Sequence, residues 1–177
     1  MPNVTVPEGA DPLMYVWTSL AKPLTAAAGG FTNAVYENSK LSLREFEAAR
    51  ITIARINDCA MCLDWRTARD VPSWGASSPD EVPESLYEAV GSADDSELTE
   101  RERLAADFAG RFAADHRSMD ADFWARMHAA YSDDELVDLA LCVGSWLAFG
   151  RFNQVFDIDG GCRVPAHSGG TGGHARA

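Results

Sequence analysis

Residues 41–66 have the sequence LSLREFEAARITIARINDCAMCLDWR, and the fold is predicted by working outward from this stretch. Ser42 and Glu45 stand three positions apart, which is the spacing of a capping box, where each side chain accepts a backbone N–H at a helix start. Behind the box, apolar residues recur every three or four positions, the period of one helix face. The pattern predicts a helix over residues 43–56, with an apolar face formed by Leu43, Phe46, Ala49, Ile53 and Ile56.

Two further capping boxes occur later in the chain. Thr99 is followed by Glu102, and Ser132 by Glu135, at the same spacing as in the first pair. Behind Thr99 the apolar residues again follow one helix face. Behind Ser132 they occur on nearly every side, so we expect this last helix to be central in the fold or buried between subunits.

Weaker helix signals occupy much of the remaining chain, and no run with the two-residue period of a strand competes with them. They predict helices over residues 13–21, 24–38, 83–90 and 121–131, of which the second contains the potentially disruptive pair Gly29-Gly30. We therefore predict an all-α fold of about six to eight helices. A single domain over residues 1–164 is expected to be followed by a flexible Gly-rich tail, residues 165–177.

The composition restricts the class of function. A chain of 177 residues with 46% hydrophobic content can bury one core. Its formal net charge of -12 argues against nucleic acid and anionic membranes as partners, because both attract basic surfaces. The longest uncharged apolar run, residues 139–149, is shorter than the roughly 20 residues that cross a bilayer. With no export signal at the N-terminus and only four cysteines, we expect a cytoplasmic protein.

The strongest chemical motif is the pair Cys59 and Cys62, arranged as C-x-x-C. Two thiols at this spacing can close a small disulfide or supply half of a metal site. The preceding Asn57 and Asp58 are poor helix-interior residues and good N-caps. We therefore predict a break there, followed by a new helix whose first turn carries both cysteines and whose macrodipole favours the thiolate form.

Two charged residues are candidates for activating the cysteine pair. Arg66 follows Cys62 by four positions, so on a continuous helix it would lie on the same face and place a positive charge beside that sulfur. Arginine cannot act as a base, which leaves Glu47 as the candidate proton acceptor. Glu47 precedes Cys59 by 12 residues, roughly 18 Å along a straight helix. It can approach Arg66 only if the chain turns back at the predicted break.

Each of these residues also has a simpler interpretation. Glu47 can be a solvent-facing acid that pairs with Arg44 or Arg50 on its own helix. The C-x-x-C cysteines can be small buried residues or half of a zinc site, although no second C-x-x-C supplies the other half. Cys142 lies in the most apolar predicted helix and is expected to fill the core, and Cys162 has no evident partner in the sequence.

The span of residues 41–66 resembles the signature of the carboxymuconolactone decarboxylase superfamily, in particular its alkylhydroperoxidase D (AhpD-like) branch. The resemblance lies in Glu47, followed by an 11-residue gap and then by Cys59-x-x-Cys62. Residues 120–159 resemble the C-terminal half of the same family. The resemblance implies an AhpD-like helical bundle that assembles as a trimer or hexamer and reduces hydroperoxides through a dithiol–disulfide cycle. It also implies an external dithiol or protein reductant, and neither a bound cofactor nor a metal.

Carried over to this chain, the resemblance assigns Cys62 as the attacking thiolate, Cys59 as the resolving cysteine and Glu47 as the relay acid. Thioredoxin-type reasoning instead favours Cys59, as the more exposed sulfur at a helix start. The chain departs from the family pattern at Arg66, where AhpD-like proteins have histidine, and at Met61, where histidine or tyrosine is common. We therefore expect a peroxidase-related protein whose proton transfer passes through water or directly through Glu47.

Two alternative functions stay open. The other branch of the superfamily decarboxylates lactones without depending on a cysteine pair, so the presence of Cys59 and Cys62 argues against it. The second alternative is a non-catalytic, redox-responsive oligomer, which the arginine at position 66 favours.

Overall fold

The computed structural model describes residues 1–71 and 81–159. These residues form nine α-helices and no strand, which confirms the predicted all-α class. The number exceeds six to eight because the cysteine region forms two short helices of its own. The helices are α1 (Pro12–Ser19), α2 (Lys22–Asn38), α3 (Leu43–Ile56), α4 (Ala60–Asp64), α5 (Thr67–Asp70), α6 (Glu84–Ala89), α7 (Glu100–Ala114), α8 (Ala121–Ala130) and α9 (Asp133–Phe156). Cys162 and the predicted tail lie outside the described residues.

All three predicted capping boxes are formed. The side chains of Ser42, Thr99 and Ser132 each accept a hydrogen bond from the N–H of the glutamate three residues later, and that glutamate accepts the N–H of the cap residue. These local bonds begin α3, α7 and α9 at the predicted positions. The pair Gly29-Gly30 does not interrupt α2, which is continuous.

The central helix is α3, which packs against α7 and α9 on one side and α6 on another. One apolar cluster joins α3 to α7, α8 and α9 around Phe46, Phe108 and Val143. A second cluster joins α3 to α6 around Ile51 and Leu86. Because α3 is covered by both clusters, polar side chains on it must find their partners inside the protein.

Three charged side chains of α3 are buried, and each of them is paired. Glu45 pairs with Arg101 of α7, whereas Glu47 and Arg50 pair with each other. Burying a charge is costly unless the charge is paired and hydrogen-bonded, and each of these side chains meets that condition. The second pair lies beside residues 57–66, here called the cysteine turn, and is described below.

The last helix, α9, is buried along one side only. It packs against α2, α3 and α7, with Leu139 and Val143 fully buried. Val137, Leu141 and Val155 project from it with exposures of 60%, 53% and 60%. Helix α9 is therefore buried against the core on one side, as predicted. Its other side exposes apolar side chains. Across residues 1–71 and 81–159, no helix has the length and apolar character needed to cross a bilayer.

Candidate functional site

The chain turns back between α3 and α4, where the sequence predicts a break. Helix α3 ends at Ile56, and Asp58 adopts a left-handed conformation with φ of 51°. Cys59 is itself the N-cap of α4, because its Sγ accepts the N–H of Cys62 at 3.2 Å. The predicted break is confirmed, but the cap residue is a cysteine rather than Asn57 or Asp58.

Cys59 and Cys62 are joined by a disulfide, with their Cα atoms 5.2 Å apart. Cys59 is fully buried, and its N–H donates to the carbonyl of Ala54 at 3.1 Å, which holds it against the end of α3. Cys62 is partly exposed. The expectation that Cys59 is the more exposed sulfur is therefore wrong. Within residues 1–71 and 81–159, no group of three or more His, Cys, Asp or Glu side chains is arranged to hold a metal ion.

Arg50 of α3 binds the backbone of the cysteine turn. Its side chain is only 3% exposed, and it donates to the carbonyl groups of Cys62 at 2.6 Å and of Trp65 at 2.8 Å. If α4 continued, the carbonyl of Cys62 would accept the N–H of Arg66. That N–H instead binds a side chain further along the chain. Arg50 thus replaces the next helical hydrogen bond, and α4 ends at Asp64.

Glu47 is fully buried and holds Arg50 in place. Its carboxylate accepts Nε and Nη2 of Arg50 at 2.6 and 2.8 Å, together with the hydroxyl groups of Thr67 and Tyr87. The interpretation of Glu47 as a solvent-facing acid is wrong, because the chain folds back over this side of α3 after the break. Its suggested pairing with Arg50 is confirmed.

Burial and charge set the protonation states of this network. Burial by itself lowers the pKa of Arg50, but the hydrogen bonds and negative charge of Glu47 outweigh burial and raise that pKa above its usual value. Burial, followed by the charge of Glu47, raises the pKa of Tyr87. A charged guanidinium and a protonated phenol are the forms that donate hydrogen bonds. Both side chains therefore remain donors to Glu47 at neutral pH.

Arg66 lies on the same turn but does not share a helix with Cys62. Its Nε and Nη2 donate to Glu84 at 2.9 and 2.8 Å, and its Cζ lies 4.0 Å from the centre of the Tyr87 ring. The expected position on a helix face beside Cys62 is wrong, because α4 ends before residue 66. Tyr87 contacts both Arg66 and Glu47, whereas a direct approach of these two charged side chains stays a prediction.

Cys62 lines a cavity of about 370 Å³ between α1, α2, α3, α4 and α9, whereas its disulfide partner does not. The walls are largely apolar and include the indole rings of Trp17, Trp65 and Trp146. Burial raises the pKa of Tyr36, another wall residue, to about 12. The volume is near the lower end of the range of roughly 300–1,000 Å³ typical of small-molecule sites. The accessible cysteine therefore faces a cavity of suitable size for a small organic ligand.

Asn57 ties the turn to the α9 wall of this cavity. Its Nδ2 donates to the carbonyl groups of Trp146 at 3.0 Å and Leu147 at 3.4 Å. Gly150 permits this approach, because a Cβ at that position would lie 2.5 Å from Nδ2. A larger residue at position 150 would displace the Asn57 side chain from this contact.

The sequence identifies Glu47, Cys59 and Cys62 but assigns no site role to Arg50 or Tyr87. The three-residue spacing of Glu47 and Arg50 on one helix is a usable signal for their pairing, since side chains so spaced are neighbours. Tyr87 follows Glu47 by 40 residues, and no local pattern connects them. The site therefore contains one partner that spacing could indicate and one that only the tertiary fold reveals.

Comparisons with known proteins give a likeness in fold. No family model and no curated protein matches the sequence. The structure is similar to the crystal structure of a protein of unknown function from Agrobacterium tumefaciens, assigned provisionally as the antioxidant defence protein AhpD. The TM-score is 0.62 at 21% sequence identity, covering 80% of this chain and 92% of that chain. At this identity the likeness shows the fold alone, and it supports the AhpD-like helical fold that the resemblance implies.

Proposed function

We propose that this protein is a thiol-dependent hydroperoxide reductase of the AhpD type, which cycles between the dithiol and disulfide forms of Cys59 and Cys62. The observation that carries the proposal is the unequal position of the two sulfurs. Cys62 faces an apolar cavity large enough for a small organic molecule, while Cys59 is buried and bonded to it. Cys62 is thus placed to meet a substrate, and Cys59 to meet Cys62.

The proposed cycle has three steps. The thiolate of Cys62 attacks the outer oxygen of a hydroperoxide, ROOH; the O–O bond breaks, the sulfur becomes a sulfenic acid, and the alkoxide takes up a proton to leave as ROH. The thiol of Cys59 then attacks the Cys62 sulfur, which forms the disulfide and releases water. An external dithiol, or a protein reductant, finally returns two electrons and two protons by thiol–disulfide exchange.

In this proposal Glu47 and Arg50 act as positioning residues. Four donors already occupy the Glu47 carboxylate, which favours water over Glu47 as the route for the proton. Glu47 holds Arg50, and Arg50 holds the carbonyl of Cys62. Arg66, paired with Glu84, stabilises the conformation of the turn. Because its guanidinium stays protonated, it does not transfer a proton in the cycle.

We further propose assembly as a homo-oligomer, a trimer or hexamer, through the exposed apolar side of α9. Val137, Leu141 and Val155 are exposed there, and apolar side chains grouped on one exposed helix side are typical of an interaction surface. Light scattering measures the subunit number.

The cytoplasm is the proposed location, because its reducing conditions regenerate the dithiol. Nucleic acid and membranes are not among the proposed partners.

A single-turnover assay tests the proposal. The reduced chain has four thiols, and with one equivalent of cumene hydroperoxide we expect rapid loss of two, formation of one equivalent of the alcohol and an intramolecular disulfide. Cys62→Ser should consume no peroxide, whereas Cys59→Ser should consume one equivalent and accumulate a sulfenic acid that dimedone traps. Cys142→Ser removes a buried free cysteine and is the matched control. Thiols that stay unreactive, or a Cys62→Ser variant as fast as the control, contradict the proposal.

One observation favours a second candidate, the non-catalytic redox-responsive oligomer. AhpD-like proteins have a histidine at the position of Arg66. Arg66 pairs with Glu84, and an arginine cannot take the histidine's part in proton transfer. Thiols that exchange with oxidised glutathione but ignore hydroperoxides would favour this candidate. Thiol-independent release of carbon dioxide from a carboxylated lactone would instead indicate the decarboxylase branch.

A further inference from the structure

The five methionines of the chain differ in their exposure and surroundings. Met14 of α1 and Met61 of α4 are 59% and 40% exposed, and both line the cavity beside the cysteine turn. Met127 is fully buried in the core, and Met119 packs against the same core cluster. Met1 is exposed but is not among the lining residues. Two accessible thioethers therefore belong to the wall of one largely apolar cavity.

Met61 is also the direct neighbour of the accessible cysteine. It precedes Cys62 on α4, so the Cα atoms of the two residues are about 3.8 Å apart, and both residues line the cavity. Met14 lies in α1, which contributes Trp17 to the same wall. A small molecule that occupies this cavity is therefore enclosed by a wall that contains both thioethers and the Cys62 sulfur.

A thioether reacts with a hydroperoxide without the help of a thiol. The sulfur lone pair attacks the outer oxygen of ROOH and the O–O bond breaks. The alkoxide takes up the proton of the transferred OH group and leaves as ROH, so the sulfur loses two electrons and gains one oxygen. The product, methionine sulfoxide, is polar. In an apolar wall a sulfoxide either keeps water bound or loses its hydration, and both disfavour an apolar ligand.

We propose that Met14 and Met61 form a modification site at which organic hydroperoxides produce methionine sulfoxide, and that this oxidation lowers the affinity of the cavity for apolar molecules. An apolar hydroperoxide is the expected oxidant, because the lining is mostly aromatic and aliphatic. The reaction takes place at thioethers with the disulfide intact, so the inference goes beyond the proposed function. Under that function, excess oxidant would restrict its own access to Cys62.

Oxidation rates at single methionines test whether the cavity directs the reaction. The disulfide form is treated with hydrogen peroxide or with cumene hydroperoxide, N-acetylmethionine is added as an internal reference, and peptide mass spectrometry gives the rate at each methionine. Exposure alone favours the smaller oxidant. Because apolar contacts concentrate cumene hydroperoxide in the cavity, the rates of Met14 and Met61 relative to the reference should be about threefold to tenfold higher with it. Met127 should stay unoxidised.

Two variants test the consequence for binding. The double variant Met14→Leu, Met61→Leu removes both sulfurs and nearly keeps the side-chain volume. Met119→Leu, at a residue that packs against the core cluster, is the matched control. Affinity for the neutral fluorescent probe N-phenyl-1-naphthylamine is measured before and after treatment with cumene hydroperoxide. Treatment should weaken binding about fivefold or more in the wild type and the control, and should leave the double variant unchanged.

Three results would overturn the proposal. They are relative rates that are equal or lower with cumene hydroperoxide, a probe that does not bind the untreated protein, and an equal loss of affinity in the double variant and the wild type.

The modification site and the proposed function can fail separately. Methionine oxidation is measured on the disulfide form, and peroxide consumption by thiols on the reduced form. Selective oxidation of the two methionines without peroxide consumption by the thiols would overturn the proposed function alone. Peroxide consumption by the thiols without selective methionine oxidation would overturn the modification site alone.

Discussion

Two arginine–carboxylate pairs flank the cysteine turn, and they differ in depth. The side chains of Arg50 and Glu47 are 3% and 0% exposed, whereas those of Arg66 and Glu84 are 20% and 68% exposed. Both pairs are bidentate, with donor–acceptor distances of 2.6 and 2.8 Å in the first and 2.9 and 2.8 Å in the second. Their geometries alone do not distinguish them.

The difference shows that burial, rather than bond length, sets the energetic weight of a pair. Solvent screens a surface pair, which typically stabilises a protein by about 0–1 kcal/mol. Removing one partner of a buried pair leaves an uncompensated charge and costs about 3–5 kcal/mol. Arg50 should therefore determine the conformation of the cysteine turn, while Arg66 makes a small addition to it.

The largest expected effect is that of Arg50→Met. This change leaves the buried Glu47 carboxylate without its counter-charge and frees the carbonyl groups of Cys62 and Trp65. The free energy of unfolding should fall by about 3–5 kcal/mol, as measured by urea denaturation. Under the proposed function, peroxide consumption should fall as well, because the carbonyl of Cys62 is no longer held.

A double variant provides the control for this prediction. Glu47→Gln combined with Arg50→Met removes both charges, so part of the lost stability should return. Arg50→Lys keeps the charge but cannot reproduce the planar fork, and should fall between Arg50→Met and the wild type. A loss below about 1 kcal/mol in Arg50→Met would show that burial does not distinguish the two pairs.

An intermediate effect is expected for Tyr87→Phe. The change removes the hydroxyl that donates to Glu47 but keeps the ring that Arg66 contacts. One buried hydrogen bond to a charged group is lost, so the free energy of unfolding should fall by about 1–3 kcal/mol. Tyr15→Phe, in α1 and in neither pair, is the matched control in the same denaturation experiment. Equal losses in the two variants would exclude Tyr87 from the buried network.

The smallest effect is expected for Arg66→Gln, with a loss of about 0–1 kcal/mol at pH 7. Hydrogen bonding to Arg66 holds the pKa of Glu84 below its usual 4.5. Because this folded-state pKa is lowered, the pair stabilises the fold above pH 4.5, and the contribution is lost as the pH falls through the lower value. Wild type and variant should thus converge in stability on acidification. A difference in stability between wild type and variant that grows at low pH would contradict the assignment of Arg66 and Glu84 as the weaker of the two pairs.

The parts of the fold that the sequence predicts are those determined within one or two helical turns. Ser42, Thr99 and Ser132 begin their helices through bonds to residues three positions away, and the break at Asp58 follows from residue types that disfavour helix interiors. The C-x-x-C pair is equally local, and its spacing allows a small disulfide or half of a metal site; the structure shows the disulfide.

The parts that the sequence does not predict depend on distant partners. Helix α4 is expected to reach Arg66 but ends at Asp64, where Arg50, 12 residues before Cys62, donates to the Cys62 carbonyl and the N–H of Arg66 donates to Asp70 instead. The burial of Glu47 depends on Tyr87, 40 residues away. Local periodicity contains no information about such contacts. The chemical roles of the cysteines, Glu47 and Arg66 stay predictions until the thiols are assayed.

The burial of Cys59 has a kinetic consequence. If a reductant acts on this disulfide, it can reach only Cys62, so the mixed disulfide would form there and Cys59 would leave as the thiolate that the N–H of Cys62 already faces. Under the proposed function, oxidant and reductant enter by the same opening and act on the same sulfur in turn. The enzyme would therefore follow ping-pong kinetics, and an excess of either reactant that occupies the opening would slow the half-reaction of the other.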